Sequence, residues 1–143
     1  MSRLVLDASV AIKWLLPASG ENLAAEALAL YERYTRGKFV IAVPDLFWAE
    51  TANALCNAAR RGRITRLARE SSFQELRRFD FATVNSLMLI DRAFELATRF
   101  GQTVYDCLYV ALAIESEAEL ITADERLANA LGAHVPVRWL GAI

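Results

Sequence analysis

Short apolar runs alternate with longer stretches of helical spacing along the chain, and this alternation constrains the fold more than any other feature. Four runs are typical of buried strands, at residues 3–7, 39–43, 79–84 and 119–122, and residues 135–139 add a candidate edge strand. Their nearly continuous apolar character suits parallel strands that are covered on both faces. We therefore predict an α/β fold: a three-layer α/β/α domain with a central parallel sheet of four to five strands and right-handed crossovers.

Glycine and proline mark the limits of the helices between these strands. Gly37, Gly101 and Gly132 are expected to follow helix ends, and Pro44 is expected to open a helix as its first residue. After Gly62 we predict a basic helix with inward-facing residues that include Leu67. The expected helices start near residue 9 and then cover about 21–36, 44–61, a stretch after 62, 87–100, 105–115 and 124–131.

Length and composition indicate one domain. The 143 residues are enough to bury roughly two-thirds of the surface that the unfolded chain exposes, so we expect a single domain over residues 1–143. No apolar stretch approaches the roughly 18 residues of a membrane span. The N-terminus contains Asp7 and Lys13 within its apolar part and has no small-residue cleavage site, so it does not resemble a signal peptide. We expect a cytoplasmic protein without a membrane partner.

Cysteine and histidine are too few for most metal sites. Cys56 and Cys107 lie far apart without a CxxC spacing, and we expect both to be buried apolar residues. His134 is the single histidine, which excludes mechanisms that need a histidine pair. A zinc site built from nitrogen and sulfur ligands is therefore disfavoured.

Four acids lie where an apolar run gives way to a helix, or within the first two turns of one: Asp7, Glu50, Asp106 and Asp124. Ligands of open parallel sheets bind at the carboxyl ends of the strands, so these distant acids are expected to converge on one pocket. Taken singly, Asp7 and Asp124 are also suited to cap helices, and Asp106 suits the positive end of a helix dipole. Glu50 lies too deep in its helix to be a cap, and its alternative interpretation is a solvent-facing glutamate.

A convergent acidic pocket indicates a bound cation. Four carboxylates in one crevice repel each other, and some would have to take up protons unless a cation neutralised them. Mg²⁺, or alternatively Mn²⁺, matches an all-oxygen ligand set. One or two such ions can orient a phosphate ester and activate a water molecule, which is nuclease chemistry.

Two further features bear on nucleic acid. The segment from Arg60 to Arg78 contains seven arginines against two acids, a net charge of +5 in a chain of net charge −1. It either holds a polyanion backbone or forms a solvated helix face balanced by acids elsewhere. Four aromatic residues near the acids either stack on unpaired bases or, as is more common, belong to the core: Trp14, Trp48, Tyr105 and Tyr109.

The four acids lie in the motifs LVLDASV, PDLFWAETANAL, VYDCLYVALA and ITADERL. With these motifs the chain resembles the PIN-domain ribonucleases, and among them the VapC toxins of prokaryotic toxin–antitoxin pairs. The resemblance covers essentially the whole chain. It implies that Asp7, Glu50, Asp106 and Asp124 are the metal-binding and catalytic residues, supported by the hydroxyls of Ser9 and Thr122. It also implies magnesium-dependent endonucleolytic RNA cleavage, homodimerisation and neutralisation by a small VapB-like antitoxin whose C-terminal segment crosses the acidic pocket.

Two other functions compete with a type II toxin ribonuclease. A receiver-like regulatory domain would bind magnesium in the same pocket and accept a phosphoryl group, but it normally needs a lysine there. The only lysines, Lys13 and Lys38, do not follow a late strand. A noncatalytic module that binds RNA or a protein partner would share the fold, and the intact set of acids argues against it.

Overall fold

A five-stranded, all-parallel sheet forms the centre of the computed structural model, which describes residues 2–143. The strands are β1 (Ser2–Leu6), β2 (Phe39–Pro44), β3 (Ala82–Val84), β4 (Glu119–Thr122) and β5 (Val137–Trp139). Their order across the sheet is β3-β2-β1-β4-β5, and Leu6 of β1 pairs with Ile121 of β4. The predicted parallel sheet of four to five strands is confirmed, while Met1 of the expected domain lies outside the described residues.

Seven α-helices connect these strands within residues 2–143. They are α1 (Ala8–Leu15), α2 (Ala24–Thr35), α3 (Leu46–Arg60), α4 (Arg66–Arg77), α5 (Ile90–Phe100), α6 (Val104–Glu115) and α7 (Glu125–Leu131), with short 3-10 turns at Ser86–Met88 and Leu140–Ala142. Helices α1 to α4 contact one another, and α5 packs on α6, which lies against β1, β2 and β4. Two helical groups on one sheet are what the predicted three-layer arrangement requires.

Two of the predicted local features are wrong. Pro44 does not open a helix: it is the last residue of β2 and pairs with Val84 of β3, and the next amide, that of Asp45, donates to the Val84 carbonyl at 2.9 Å. A proline is tolerated there because the pairing of β2 with β1 ends at Ala42, so no ladder hydrogen bond needs the missing N–H of Pro44. Helix α3 begins only at Leu46. Leu67 is 80% exposed rather than inward-facing, because α4 buries Leu76 against the core instead.

Helix α6 is the most deeply buried of the described helices and anchors part of the candidate site. Its residues from Cys107 to Ala113 are all buried, as expected for a helix that is apolar on nearly every side. Cys107 is buried, as predicted, whereas Cys56 is only partly buried, and both are free thiols. Helix α6 begins at Val104, before the predicted start, because Thr103 caps it: the Thr103 hydroxyl accepts the amide of Asp106 at 3.0 Å.

None of the helices between residues 2 and 143 combines the length and the apolar character needed to cross a membrane.

Candidate active site

The strand order of the sheet reverses between β1 and β4, which is where an open parallel sheet forms a crevice at its carboxyl edge. Asp7 directly follows β1, and Asp124 lies two residues past the end of β4. The backbone amide of Asp7 donates to the carbonyl of Ile121 at 3.0 Å, which extends the pairing of the two strands by one step. Two of the four acids are therefore placed at this crevice by the sheet itself.

Asp7 is held by hydroxyl groups. Its Oδ2 accepts hydrogen bonds from Ser9 Oγ at 2.7 Å and from Thr122 Oγ1 at 2.8 Å, and the residue is only 9% exposed. Its side chain makes no capping hydrogen bond to α1, so capping is not what this carboxylate does. Burial raises the pKa of Asp7 above its ordinary value although the two hydroxyls oppose this, and the charge of Asp106 raises it further.

Asp124 is a helix cap and also faces the crevice. Its Oδ1 accepts the amide of Leu127 at 3.2 Å, which confirms that it caps α7. Its own amide donates to Thr122 Oγ1 at 3.1 Å, so one threonine hydroxyl bridges Asp124 and Asp7. Arg126 lies 3.7 Å from Asp124 Oδ2 in an exposed ion pair, a kind of contact that contributes little to stability.

Asp106 and Glu50 enter the site from two different helices. Asp106 lies in the first turn of α6, and its pKa is raised by burial and by the charge of Asp124, while Arg126 acts in the opposite direction. Glu50 lies in the second turn of α3 and is half-buried, so the solvent-facing interpretation does not apply. Burial raises the pKa of Glu50, and the charges of Asp7 and Asp106 add to the effect.

The effects of these charges on pKa indicate that the four acids are electrostatic neighbours. The charge of Asp106 raises the pKa of Asp7, the charges of Asp7 and Asp106 raise that of Glu50, and the charge of Asp124 raises that of Asp106. Their side chains are nevertheless spread apart: among residues 2–143, no three Asp, Glu, His or Cys side chains are grouped closely enough to enclose a metal ion directly. The crevice is thus an open acidic site rather than a closed cage of ligands.

Tyr109 is a site residue whose role the sequence pattern did not reveal. Its hydroxyl donates to Glu50 Oε1 at 2.5 Å, and the residue is only 1% exposed. The prediction that Tyr109 belongs to the core is right for its ring, but it does not account for the hydroxyl. The sequence feature that indicates a role in the site is the spacing of three residues between Asp106 and Tyr109, which puts both on the same face of α6.

The other aromatic residues near the acids divide into core and surface. Trp14 packs against Tyr34, and its indole donates to the carbonyl of Ala27 at 2.8 Å. Trp48 is half-buried, and its indole donates to Thr83 Oγ1 at 3.0 Å. Tyr105 is 63% exposed directly beside Asp106, so it alone among the four presents its ring for stacking.

Part of the basic segment lies away from the crevice. Arg60 closes α3 ten residues past Glu50, which is about 15 Å along the helix axis. Arg63 pairs with Glu21 at 2.8 Å and Arg69 pairs with Glu70 at 2.8 Å, so part of its charge is balanced within the chain. The remaining arginines are exposed on or beside α3 and α4, at residues 60, 61, 66, 77 and 78.

Known proteins share this fold and these motifs. Residues 4–131 match the family model of the PIN domain. The chain is 33% identical to ribonuclease VapC3 of Pyrobaculum aerophilum over 129 residues, covering 89% of this chain and 93% of that protein. It is 31% identical to ribonuclease VapC9 of Mycobacterium tuberculosis over 134 residues, covering 94% and 95%.

Solved structures of lower identity have the same architecture. PAE2754 of Pyrobaculum aerophilum superposes with a TM-score of 0.72 at 21% identity, covering 99% of this chain and 91% of that one. VapBC2 of Rickettsia felis, in a complex with a DNA fragment from its promoter, gives 0.60 at 12% identity, covering 96% and 98%. A toxin–antitoxin complex from Klebsiella pneumoniae gives 0.58 at 18% identity, covering 94% and 95%. From the match to the family model and the two VapC relatives, the chain belongs to the PIN-domain family, and within it to the VapC ribonucleases.

Proposed function

We propose that the chain is a metal-dependent endoribonuclease that hydrolyses RNA phosphodiester bonds as the toxin of a type II toxin–antitoxin pair, with residues 1–143 forming one nuclease domain. The observation that carries the proposal is the group of four acids at the sheet's switch point, where three carboxyl groups have pKa values raised by burial and by the charge of another acid of the group. Burying such charges together is costly unless a cation is bound. The names of the VapC relatives supply the substrate class, RNA.

The residues fit a hard divalent cation. Asp7, Glu50, Asp106 and Asp124 offer only oxygen donors, the donors that a hard cation takes. No three such side chains within residues 2–143 are close enough to enclose an ion, so an ion in the crevice would keep several waters. Mg²⁺ meets this description, and Mn²⁺ has the same preferences. When bound, such an ion neutralises phosphate charge and lowers the pKa of a coordinated water.

The protein groups have separable tasks in this scheme. Ser9 and Thr122 hold the Asp7 carboxylate in place through its Oδ2. Glu50 is half-buried at the crevice, and burial raises its pKa, so its carboxylate is suited to orient the attacking water and accept its proton. The exposed ring of Tyr105 beside Asp106 is suited to stack on a base next to the scissile phosphate.

Partners and location follow from the family. We expect a small VapB-like antitoxin as the partner, since VapBC2 of Rickettsia felis and the complex from Klebsiella pneumoniae share this fold. An arginine of the antitoxin would pair with the acids and block the crevice. We also expect a homodimer, and a cytoplasmic location because the RNA substrate is found there.

A receiver-like function has less support. Lys13 donates to Glu21 at 3.2 Å, and both side chains are only 10% exposed, so this lysine is already paired. Lys38 directly precedes β2 and therefore lies at the amino edge of the sheet, opposite the acids. Neither lysine is available to a phosphoryl group at Asp7.

Cleavage of a structured RNA tests the proposal. We expect cleavage with Mg²⁺ or Mn²⁺, none with EDTA, and a loss of at least about 100-fold in Asp7→Asn, the order expected when a group that stabilises the transition state is removed. The matched control is Asp45→Asn, which changes an exposed aspartate that bonds Ser86 and does not act on the pKa of the four acids. Cleavage that persists in EDTA or in Asp7→Asn would contradict the proposal.

A further inference from the structure

The hydroxyl of Tyr109 is the only protein group within residues 2–143 that forms a hydrogen bond with the Glu50 carboxylate. The 2.5 Å distance between the Tyr109 oxygen and Glu50 Oε1 lies in the range of a charge-assisted bond, in which the phenol donates and the carboxylate accepts. We propose that Tyr109 is a positioning residue of the site, whose hydroxyl fixes the Glu50 carboxylate through Oε1 and leaves Oε2 for metal or water. The inference rests on the proposed nuclease function.

Glu50 needs such a restraint more than the other acids do. Its side chain has more rotatable bonds than an aspartate, and ordering it costs conformational entropy. No ion pair formed within residues 2–143 includes Glu50. Asp7, by contrast, is held by two hydroxyls, and Asp124 is held by the amide of Leu127. Without the Tyr109 hydroxyl, no hydrogen bond to another side chain within these residues would hold the Glu50 carboxylate at the crevice.

Tyr109 is well placed for this task because its ring is enclosed in the core. It belongs to the largest side chains that are completely enclosed in the core, and α6 is buried on both sides of it. A close-packed interior holds a side chain in one rotamer, so the position of the hydroxyl is set by the core. The restraint on Glu50 is therefore rigid, whereas a surface partner would lose side-chain entropy in forming it.

The same helix carries an acid of the site. Asp106 and Tyr109 are three residues apart on one face of α6, and Tyr109 reaches across to Glu50 of α3. The hydrogen bond thus joins acids from two separate helices into one arrangement. Partners that orient metal ligands in this way typically contribute 10- to 100-fold to metal affinity or activity.

Removing only the hydroxyl tests this role. In Tyr109→Phe we expect the cleavage rate at saturating RNA to fall roughly 10- to 100-fold, with an unchanged KM for RNA, and Mn²⁺ binding to weaken by up to a similar factor. Mn²⁺ binding is measured by calorimetry without RNA. The matched control is Thr51→Val, which removes a completely buried hydroxyl from the residue next to Glu50. That hydroxyl donates to the Phe47 carbonyl at 2.8 Å and not to an acid. Cleavage and Mn²⁺ binding by this control should therefore stay within about twofold of wild type.

A double-mutant cycle with Glu50→Gln distinguishes positioning from a general packing effect. If Tyr109 acts through Glu50, adding Tyr109→Phe to Glu50→Gln should change Mn²⁺ binding and cleavage by less than about twofold. Two outcomes would overturn the inference while leaving the nuclease proposal intact. In the first, the losses of cleavage and of Mn²⁺ binding from the two substitutions multiply in the double variant. In the second, Tyr109→Phe matches wild type in both measurements. A wild-type chain that neither binds Mn²⁺ nor cleaves RNA would overturn both.

Discussion

At the scale of the residue, burial and mutual charge act on the same carboxyl groups. Asp7, Glu50 and Asp106 each have a pKa raised first by burial, and each is raised further by another acid of the site. Raised pKa values make protons competitors of the metal, because a ligand must be deprotonated to bind. Metal affinity should therefore increase as the pH rises through the titration of these groups.

The stability of the metal-free chain should depend on pH through Asp7. A carboxyl whose pKa is raised by folding binds more protons in the folded chain than in the unfolded chain. Its contribution to the free energy of unfolding is therefore complete below the ordinary pKa of 3.8 and is lost as the pH rises through the raised pKa. Asp7→Asn removes this titration, and its amide oxygen can still accept from Ser9 and Thr122. In EDTA, we expect this variant to gain free energy of unfolding relative to wild type as the pH rises above 3.8 and through the raised pKa, measured by urea denaturation.

Groups outside the site, such as Asp45 with its lowered pKa, titrate alike in the wild type and in Asp7→Asn, so they cancel when the two free energies of unfolding are subtracted. If the difference between these free energies stayed constant with pH, it would contradict the assignment of Asp7 as a buried acid with a raised pKa. Adding Mg²⁺ at about pH 7.5 should stabilise only the wild type, by an amount that grows with metal concentration.

The sequence pattern predicts the four acids, and the family resemblance adds the hydroxyls of Ser9 and Thr122, but neither reveals the Tyr109 hydroxyl that holds Glu50. Asp7 and Asp124 follow strand ends, so parallel-strand geometry alone brings them to one edge. The bond from Tyr109 to Glu50 spans 59 positions and the bond from Thr122 to Asp7 spans 115. Such bonds depend on strand register and on which face each helix buries, neither of which can be read from local spacing.

At the scale of the element, the start of α6 controls the position of Asp106. The Thr103 hydroxyl accepts the Asp106 amide at 3.0 Å, and the Thr65 hydroxyl accepts the Ala68 amide at the same distance at the start of α4. Each cap satisfies one amide that the helix leaves unpaired. Only the first of these caps lies beside an acid of the site.

Removing each cap should separate stability from function. Thr103→Ala and Thr65→Ala should each lower the free energy of unfolding by about 1 kcal/mol, measured by urea denaturation. Thr103→Ala should also slow RNA cleavage several-fold because Asp106 loses the bond that orients its backbone, whereas Thr65→Ala should cleave like wild type. Equal cleavage by the two variants would mean that the cap does not position Asp106.

Helix and strand limits were predictable where a residue type dictates backbone conformation. Gly37 and Gly101 adopt left-handed φ angles of +72° and +66° after helix ends, as glycine allows and other residues resist. Pro44 was misassigned because proline suits both the first turn of a helix and the end of a strand. Leu67 was misassigned because tertiary packing, rather than hydrophobicity, decides which face of α4 is buried.

At the scale of the whole molecule, the basic segment and the acidic crevice form two separate charged regions. Two exposed arginines of α4, Arg66 and Arg77, form no ion pair within residues 2–143. Arg60 lies about 15 Å from Glu50 along the axis of α3, so a substrate that reaches both regions spans more than one nucleotide. RNA binding should then depend on salt in the way that phosphate contacts do.

Replacing both Arg66 and Arg77 with alanine should raise the KM for a structured RNA and leave the rate at saturating RNA unchanged. The slope of log affinity against log salt should become shallower by about 0.7 to 0.9 for each phosphate that an arginine no longer neutralises. Arg92→Ala is the control, because Arg92 pairs with Glu115 at 2.7 Å on a different part of the surface. An unchanged salt slope in the double variant would show that this segment is a solvated helix face.

Above all, Asp7, Glu50, Asp106 and Asp124 are proposed to form one divalent-metal site at the switch point of the sheet. Crystals grown with Mn²⁺ test this most directly, because anomalous scattering locates manganese independently of the protein coordinates. We expect an anomalous peak in the crevice, bound to one or two of these carboxylates directly and to the others through water. A crevice without manganese at saturating concentration, or a peak distant from all four acids, would contradict the proposed site.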